Sequence, residues 1–333
     1  MTRILVTGAA GMIGRALLSD LAGHEIIATD LKAPADLPAG VRFEPLDVTG
    51  EDPDRVIGET RPEVVVHLAS IVTPGPGMGR AFAHRVDVEG TRRVIDAALA
   101  HGVRRLVVTS SGAAYGYHAD NPVPLSEGDA LRGNPEFAYA DHKRQVEEML
   151  AEARAAHPEL EQVVLRVGTV LGAGTDNQIT ALFRKPRLLA IRGSDSPFVF
   201  IWTRDLARIL ARAATDGPAG IYNVAGDGAL GVDQLAARLG KAVTRLPAWG
   251  LKAALAVAHP LRLSRRLATA TWRPRQKQHH RLGLRWWHHP PGHGYRVPSR
   301  LAQKCRHHAH LELHVQIHSC SHRHLPPLPH GSE

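Results

Sequence analysis

The stretch Arg3-Ile4-Leu5-Val6-Thr7-Gly8-Ala9-Ala10-Gly11-Met12-Ile13-Gly14 decides the fold. A short apolar run stops at Thr7-Gly8, and apolar side chains then recur at helical spacing over residues 12–21. A strand therefore turns sharply into a helix. In the spacing G-x-x-G-x-x-G, Gly8 permits the tight turn and Gly14 lets the helix lie close on the sheet. Gly11 leaves the backbone around Ala10, Met12 and Ile13 open to a pyrophosphate. The helix N-terminus adds unpaired N–H groups and a partial positive charge. Asp30 closes the next strand, 22 residues after Gly8. That is the place of a carboxylate that accepts hydrogen bonds from ribose hydroxyls. The same carboxylate repels a 2′-phosphate, so the stretch predicts NAD rather than NADP, with Lys32 partly offsetting the repulsion. Asp47 and Val48, after the following strand, are candidates for the adenine edge. A plain loop aspartate is the alternative.

Outward from this unit, apolar runs alternate with helical patterns. Strands are expected at 25–29, 64–67, 106–109 and 163–166, and helices at 86–100 and 139–155. Such alternation argues for an α/β fold, a Rossmann-type doubly wound parallel sheet covered on both faces. After about residue 167 the rhythm loosens, with helices expected at 205–214 and 232–239 and a strand at 221–224. The expected organisation is a nucleotide-binding domain over 1–166, a smaller substrate-binding lobe over 167–270 and a basic tail over 271–333.

The chain has 333 residues and a formal net charge of +9. The charge is local. Residues 271–333 hold ten Lys/Arg and two Asp/Glu, which leaves 31 basic and 30 acidic residues in the body. Nucleic acid is therefore not an expected partner of the body. Both cysteines, Cys305 and Cys320, lie in the tail. A body without cysteine suits a reducing cytosol. No leader pattern precedes the first strand, and the apolar stretch 246–261 is interrupted by Pro247, Lys252 and His259. A cytoplasmic protein with no membrane span is expected.

Tyr139-Ala140-Asp141-His142-Lys143 places a tyrosine and a lysine four apart, one turn along the same helix face. A free tyrosine has a pKa of about 10, and to work near neutrality it must drop by ~3 pH units, or ~4 kcal/mol. The ammonium one turn away, with the positive charge of an oxidised nicotinamide, supplies that drop. Alone, Y-x-x-x-K describes a solvated helix face equally well. Ser110 and Ser111 follow the strand at 106–109, whose C-terminal end faces the ligand crevice of such a sheet. A serine there orients a carbonyl or alcohol, and turn capping is the alternative.

Together these residues resemble the extended short-chain dehydrogenase/reductase family, also called the NAD-dependent epimerase/dehydratase family. The resemblance runs from residue 1 to about 230. It rests on Gly8-x-x-Gly11-x-x-Gly14, Asp30, His67-Leu68-Ala69-Ser70, Ser111-x-x-x-Tyr115-Gly116, Tyr139-x-x-x-Lys143, Leu165-Arg166 and Tyr222-Asn223. It implies that Ser111 is the catalytic serine and Tyr139 the acid/base. It implies that Lys143 binds the nicotinamide ribose and lowers the Tyr139 pKa. It adds Leu68, Ala69, Ser70 and the segment from Arg166 to Thr169 to the cofactor cleft. It also implies a homodimer formed through the Y-x-x-x-K helix and its neighbour.

Three departures from the family matter. Asp87 stands where the family has the asparagine of N-V-x-G-T, which replaces a donor by an acceptor. Alignment on Asp205 puts Phe198 where nucleotide-sugar enzymes of the family carry a diphosphate-gripping arginine, and Trp202 where they carry a histidine. Phe198, Phe200 and Trp202 suit a less polar pocket or plain core packing. Arg192 and Arg204 are either substitutes for the clamp or surface charges. The tail matches no family ending. It reads as a disordered appendage, a basic arm, or a segment translated out of frame, the last of which the encoding DNA decides. Its thirteen histidines come without a C-x-x-C pair, so no metal site is expected. Residues 74–79 read as a loop at the cleft mouth or a lid, and 249–261 as a packed helix or a substrate wall.

The expected function is an NAD-dependent oxidoreductase moving hydride between nicotinamide and a small-molecule alcohol or ketone. An epimerase or dehydratase acting on a sugar or nucleotide sugar is the alternative. A non-catalytic dinucleotide sensor is a third reading.

Overall fold

The computed structural model describes residues 1–72, 75, 78–173, 175, 178–194 and 197–249. Seven strands form one parallel sheet: β1 (Arg3–Thr7), β2 (Glu25–Asp30), β3 (Arg42–Pro45), β4 (Val64–His67), β5 (Arg105–Ser111), β6 (Glu161–Val167) and β10 (Gly220–Val224). Their spatial order is β10-β6-β5-β4-β1-β2-β3. Two short strands, β7 (Thr169–Leu171) and β9 (Phe200–Trp202), pair separately. The α-helices of this part are α1 (Met12–Asp20), α2 (Asp52–Thr60), α3 (Arg80–His84), α4 (Gly90–Ala100), α5 (Ala138–Ala156) and α7 (Thr203–Ala214). The sheet is parallel throughout and buried on both faces, so its central strands are continuous apolar runs: Val64, Val65 and Val66 are all fully buried. Alternation survives in the direction each side chain takes. Ile4 and Val6 join the core beneath α1 and α7, while Leu5 joins the core beneath α2, α4 and α5.

Strand order reverses at β1, with β2 on one side and β4 on the other. Ligands of open α/β sheets bind at such a switch point, beyond the carboxyl ends of the strands. The carboxyl ends of β1, β4 and β5 deliver Gly8, Leu68 and Ser111 to that edge.

Among the described residues, chain contacts separate one unit, Met1–Thr180 with Val199–Gly228, from a second that holds Ala181–Phe198 and residues 229–249. The boundary expected at 167 differs because the chain comes back to the sheet. β10 pairs along β6 with Tyr222 opposite Leu165, and α7 buries Leu206, Leu210, Ala213 and Ala214 in the core it shares with α1. Within the second unit β8 (Arg187–Ile191) pairs in parallel with β11 (Ala242–Leu246), beside α8 (Val232–Leu239). Phe198 bridges to Leu230 there and meets the Phe183 ring edge-on at 5.7 Å. The helix α6 (Gln178–Arg184) contains the boundary.

The helix expected at 86–100 is broken in kind. α3 passes through one π-helical turn (Arg85–Glu89) before α4 begins at Gly90. Among the described residues no helix is long and apolar enough to cross a membrane, and no cluster of metal-ligating side chains occurs. The tail 271–333 with Cys305 and Cys320, residues 250–261, and Pro74, Pro76 and Gly77 lie outside the described residues.

Candidate active site

Gly8 adopts φ +69°, a left-handed conformation that a side chain would strain. A Cβ there would also sit 2.7 Å from the Ala69 amide nitrogen, so the β1 turn and the loop after β4 touch backbone to backbone. At Gly14 a Cβ would meet the Gly8 carbonyl at 2.4 Å, which is why α1 lies so close to the strand it follows. Gly11 is the N-cap of α1. No side chain caps this terminus and no acidic residue lies in its first turn. The first-turn amides are thus left to an anion. The Met12 side chain is engaged by the Thr175 hydroxyl at 3.1 Å, so its contribution to an anion is its backbone. Asp30 ends β2 and accepts from the Ala10 amide at 3.0 Å and from Leu31 at 2.7 Å, which ties the carboxylate to the turn. Each of its oxygens keeps a second lone pair for a ribose hydroxyl. An uncapped anion seat beside a tethered carboxylate fits an adenine dinucleotide.

The loop after β4 is braced from beneath. The Leu68 amide reaches the Thr7 carbonyl, and the Leu68 and Ala69 amides both approach the Thr7 hydroxyl at 3.2 and 3.3 Å. His67 lies between two threonines, Nδ1 2.8 Å from Thr7 Oγ1 and Nε2 3.0 Å from Thr91 Oγ1. Burial, with the Lys143 ammonium as a lesser cause, pushes its pKa down to about 3, so this imidazole is neutral. Ser70 donates to Asp87 at 2.9 Å.

β5 delivers Ser111 at its last residue, and α5 delivers Tyr139 and Lys143 in its first two turns. Ser111 Oγ accepts from the Ala113 amide at 3.1 Å, which caps the 3-10 turn Gly112–Tyr115, and its own proton makes only a long 3.5 Å bond to the Val167 carbonyl, which a substrate oxygen can replace. Capping and substrate orientation are therefore compatible. Lys143 is buried, its Nζ 3.0 Å from the Thr109 carbonyl and 5.8 Å from the centre of the Tyr139 ring. The expected lowering of Tyr139 is not met by the protein alone. Burial pushes its hydroxyl up, Ser111 pulls it down, and the Asp87 charge pushes it up again. Lys143 is itself pulled down by burial, against the opposing charges of Asp87 and Glu147. For both groups desolvation is the largest cause, and it acts against the charged form of each.

Other expected residues take different places. The Asp47 carboxylate accepts from the Thr49 amide and hydroxyl at 2.8 and 2.7 Å, which closes the turn ahead of α2. Val48 is buried against Gly90. Thr169 lies in β7 with its amide on the Val199 carbonyl. Arg166 is committed elsewhere: its guanidinium is buried against Glu147 at 2.7 Å and donates to the Tyr115 hydroxyl at 2.7 Å and the Glu127 carbonyl at 2.9 Å. Ser110 Oγ also bonds Glu147, and Asn223 Oδ1 lies 2.7 Å from Tyr115 Oη. Sequence spacing does not reveal this network, because its members come from five separate elements and a loop. An arginine and a glutamate inside otherwise apolar segments are the one available sign of it.

The sequence profile of the NAD dependent epimerase/dehydratase family matches residues 4–225. A UDP-glucose 4-epimerase of Azospirillum brasilense is 35% identical over 179 residues, 51% of this chain and 50% of that protein. A 3-diazoavenalumate denitrifying reductase of a Streptomyces species is 33% identical over 180 residues, 52% of this chain and 58% of that protein. The chain thus spans about half the length of either. The solved structure of a Thermus thermophilus UDP-glucose 4-epimerase complexed with NAD has a TM-score of 0.59 at 26% identity, covering 74% of this chain and 86% of that one. With a parallel sheet in Rossmann order and a dinucleotide cradle at its switch point, this chain belongs to the NAD-dependent epimerase/dehydratase family.

Proposed function

We propose that the chain is an oxidoreductase that moves hydride between NAD and an alcohol or ketone carbon of a small-molecule substrate, using Ser111, Tyr139 and Lys143. The observation that carries this reading is their convergence beside the dinucleotide cradle, with the Tyr139 ring 5.8 Å from the Lys143 ammonium, Ser111 hydrogen-bonded to Tyr139, and the Ser111 proton otherwise held only by a long 3.5 Å bond to the Val167 carbonyl. Bound NAD supplies the hydride acceptor and a positive charge. Ser111 holds the substrate oxygen. Tyr139 takes the hydroxyl proton as the carbon gives up its hydride, and returns it in the reverse direction. Lys143, pinned on Thr109, fixes the ammonium beneath the tyrosine ring. Because the protein alone holds Tyr139 above its ordinary value, the cofactor's charge must supply the lowering that neutral catalysis needs. Alcohol oxidation, which needs the phenolate, gains rate as pH rises through the Tyr139 pKa, and ketone reduction loses it there. Two copies pair through α5 and α4, as the family's architecture suggests.

A second reading, epimerisation of a nucleotide sugar, draws support from the likeness to two UDP-glucose 4-epimerases. Against it stands Phe198 at the position of the family's diphosphate-gripping arginine. The two readings separate in one assay. A panel of alcohols, sugar acids and nucleotide sugars is incubated with protein and NAD while absorbance at the NADH band is followed. Net NADH from an alcohol supports the first reading. Conversion of a nucleotide sugar with no net NADH replaces it with the second.

A further inference from the structure

The family asparagine of N-V-x-G-T is Asp87 here, and the structure gives the acid a place of its own. A π-helical turn carries one more residue per hydrogen-bonded ring than an α-helix, and such turns concentrate at functional sites. Among the described residues the one π turn is Arg85–Glu89, and Asp87 is its middle residue, 2% exposed. One carboxylate oxygen accepts from the Ser70 hydroxyl at 2.9 Å and from the Ile71 amide at 2.7 Å. The other lies 3.3 Å from Nδ1 of His142, which is fully buried on α5. The Thr91 hydroxyl fastens the Asp87 carbonyl at 2.6 Å. Each of these carboxylate partners is a donor, with Nδ1 carrying the His142 proton. That tautomer leaves Nε2 as a bare lone pair, and Nε2 is indeed a buried atom with no partner among the described residues.

We propose that Asp87 is a positioning residue of the catalytic centre: its carboxylate clamps the Ser70–Ile71 edge of the cofactor cleft to the helix that carries Tyr139 and Lys143, and is the fixed anion against which that pair works.

The charged and titratable surroundings come from four elements. From α5 come Tyr139, His142 and Lys143, with Glu147 a further anion acting on Lys143. From α3 comes His84, whose ring meets His142 edge-on at 5.3 Å, with Arg80 engaged on Asp141. From β4 comes His67, neutral and held by its threonines. On the π turn itself, Glu89 faces His84 and Arg93. His142 is held down by burial, against the pull of Asp87, and so offers no positive charge to cancel the carboxylate. The negative charge therefore reaches Tyr139 and Lys143, where it keeps protons on both. Asparagine would keep an acceptor for Ser70 and Ile71 but remove the charge.

The inference rests on Tyr139 and Lys143 being the working pair. The test is therefore read on the cofactor-free protein, where it can fail while hydride transfer stands. Tyrosinate absorbance near 295 nm is titrated, and the Tyr139 contribution is isolated by subtracting the Tyr139→Phe protein. In Asp87→Asn the Tyr139 midpoint moves to lower pH by about one unit, the size expected for loss of one nearby buried charge. Asp87→Ser moves it the same way, and Ser70→Ala, which loosens the clamp and keeps the charge, leaves it in place. The acidic limb of the pH–rate profile for alcohol oxidation follows the same shifts. A midpoint unchanged in a folded Asp87→Asn protein overturns the proposal. So does failure of both neutral variants to fold, which would assign Asp87 to folding alone.

Discussion

His67 shows how one buried side chain sets a pH dependence. Its ring lies between Thr7 and Thr91 and titrates at about 3 when folded, against the ordinary value of 6.5. Between those values the unfolded chain binds a proton that the folded chain refuses. Stability is therefore full above the unfolded value and is lost as pH falls, at about 1.4 kcal/mol per pH unit for this one group. We expect denaturant unfolding of the wild type to lose that much more stability per unit between pH 6 and pH 4 than a His67→Gln variant, whose amide also reaches both threonines. Equal slopes would show that His67 ionises without penalty. Gly8 and Gly14 act at the same scale but through shape. Each lies where a single methyl group would strike backbone, and backbone has nowhere to retreat.

Among the elements, α5 is the one whose placement matters most, and its anchor is ionic. Glu147 on α5 and Arg166 on β6 are both nearly unexposed, joined at 2.7 Å, and Ser110 and Tyr115 complete the set. Such a pair contributes little net stability compared with an apolar pair, but breaking it strands a buried charge. Glu147→Ala should cost about 3–5 kcal/mol, measured by denaturant unfolding at pH 7. Glu147→Ala combined with Arg166→Met should recover much of that loss. A single variant within about 0.5 kcal/mol of wild type would contradict the assignment. The sequence made α5 plain, because Tyr139 and Lys143 share a face and the apolar positions repeat at helical spacing. The Glu147–Arg166 pair was hidden, since the elements that make it are distant in the chain. Arg166 thus reads from the motif as part of a cofactor segment, yet its guanidinium points into the protein. The π turn was hidden for another reason. One extra residue in a helical ring leaves the local apolar pattern of 86–100 almost unchanged, while it alters which way Asp87 faces.

At the scale of the whole molecule, the nucleotide-binding βαβ unit was legible from the first thirty residues and the parallel sheet from the strand–helix alternation that follows it. A glycine turn, a helix and Asp30 have few other uses in that order. The division after residue 167 was less legible. Strands β7 and β9 are three residues long and leave only a weak periodic trace, while β10, expected at 221–224, is a strand whose place beside β6 the local pattern does not show. The same part of the chain carries Phe198, on which the choice of substrate turns. The central claim is that the Rossmann unit is a working redox site, and it rests on Tyr139. The most direct measurement compares wild type and Tyr139→Phe for turnover of the best substrate from the NADH screen, with NAD affinity measured by calorimetry on the same samples. Loss of one acid/base group should lower turnover by about 10²-fold or more, with NAD affinity unchanged within about threefold. Turnover equal to wild type in the phenylalanine protein would contradict the account.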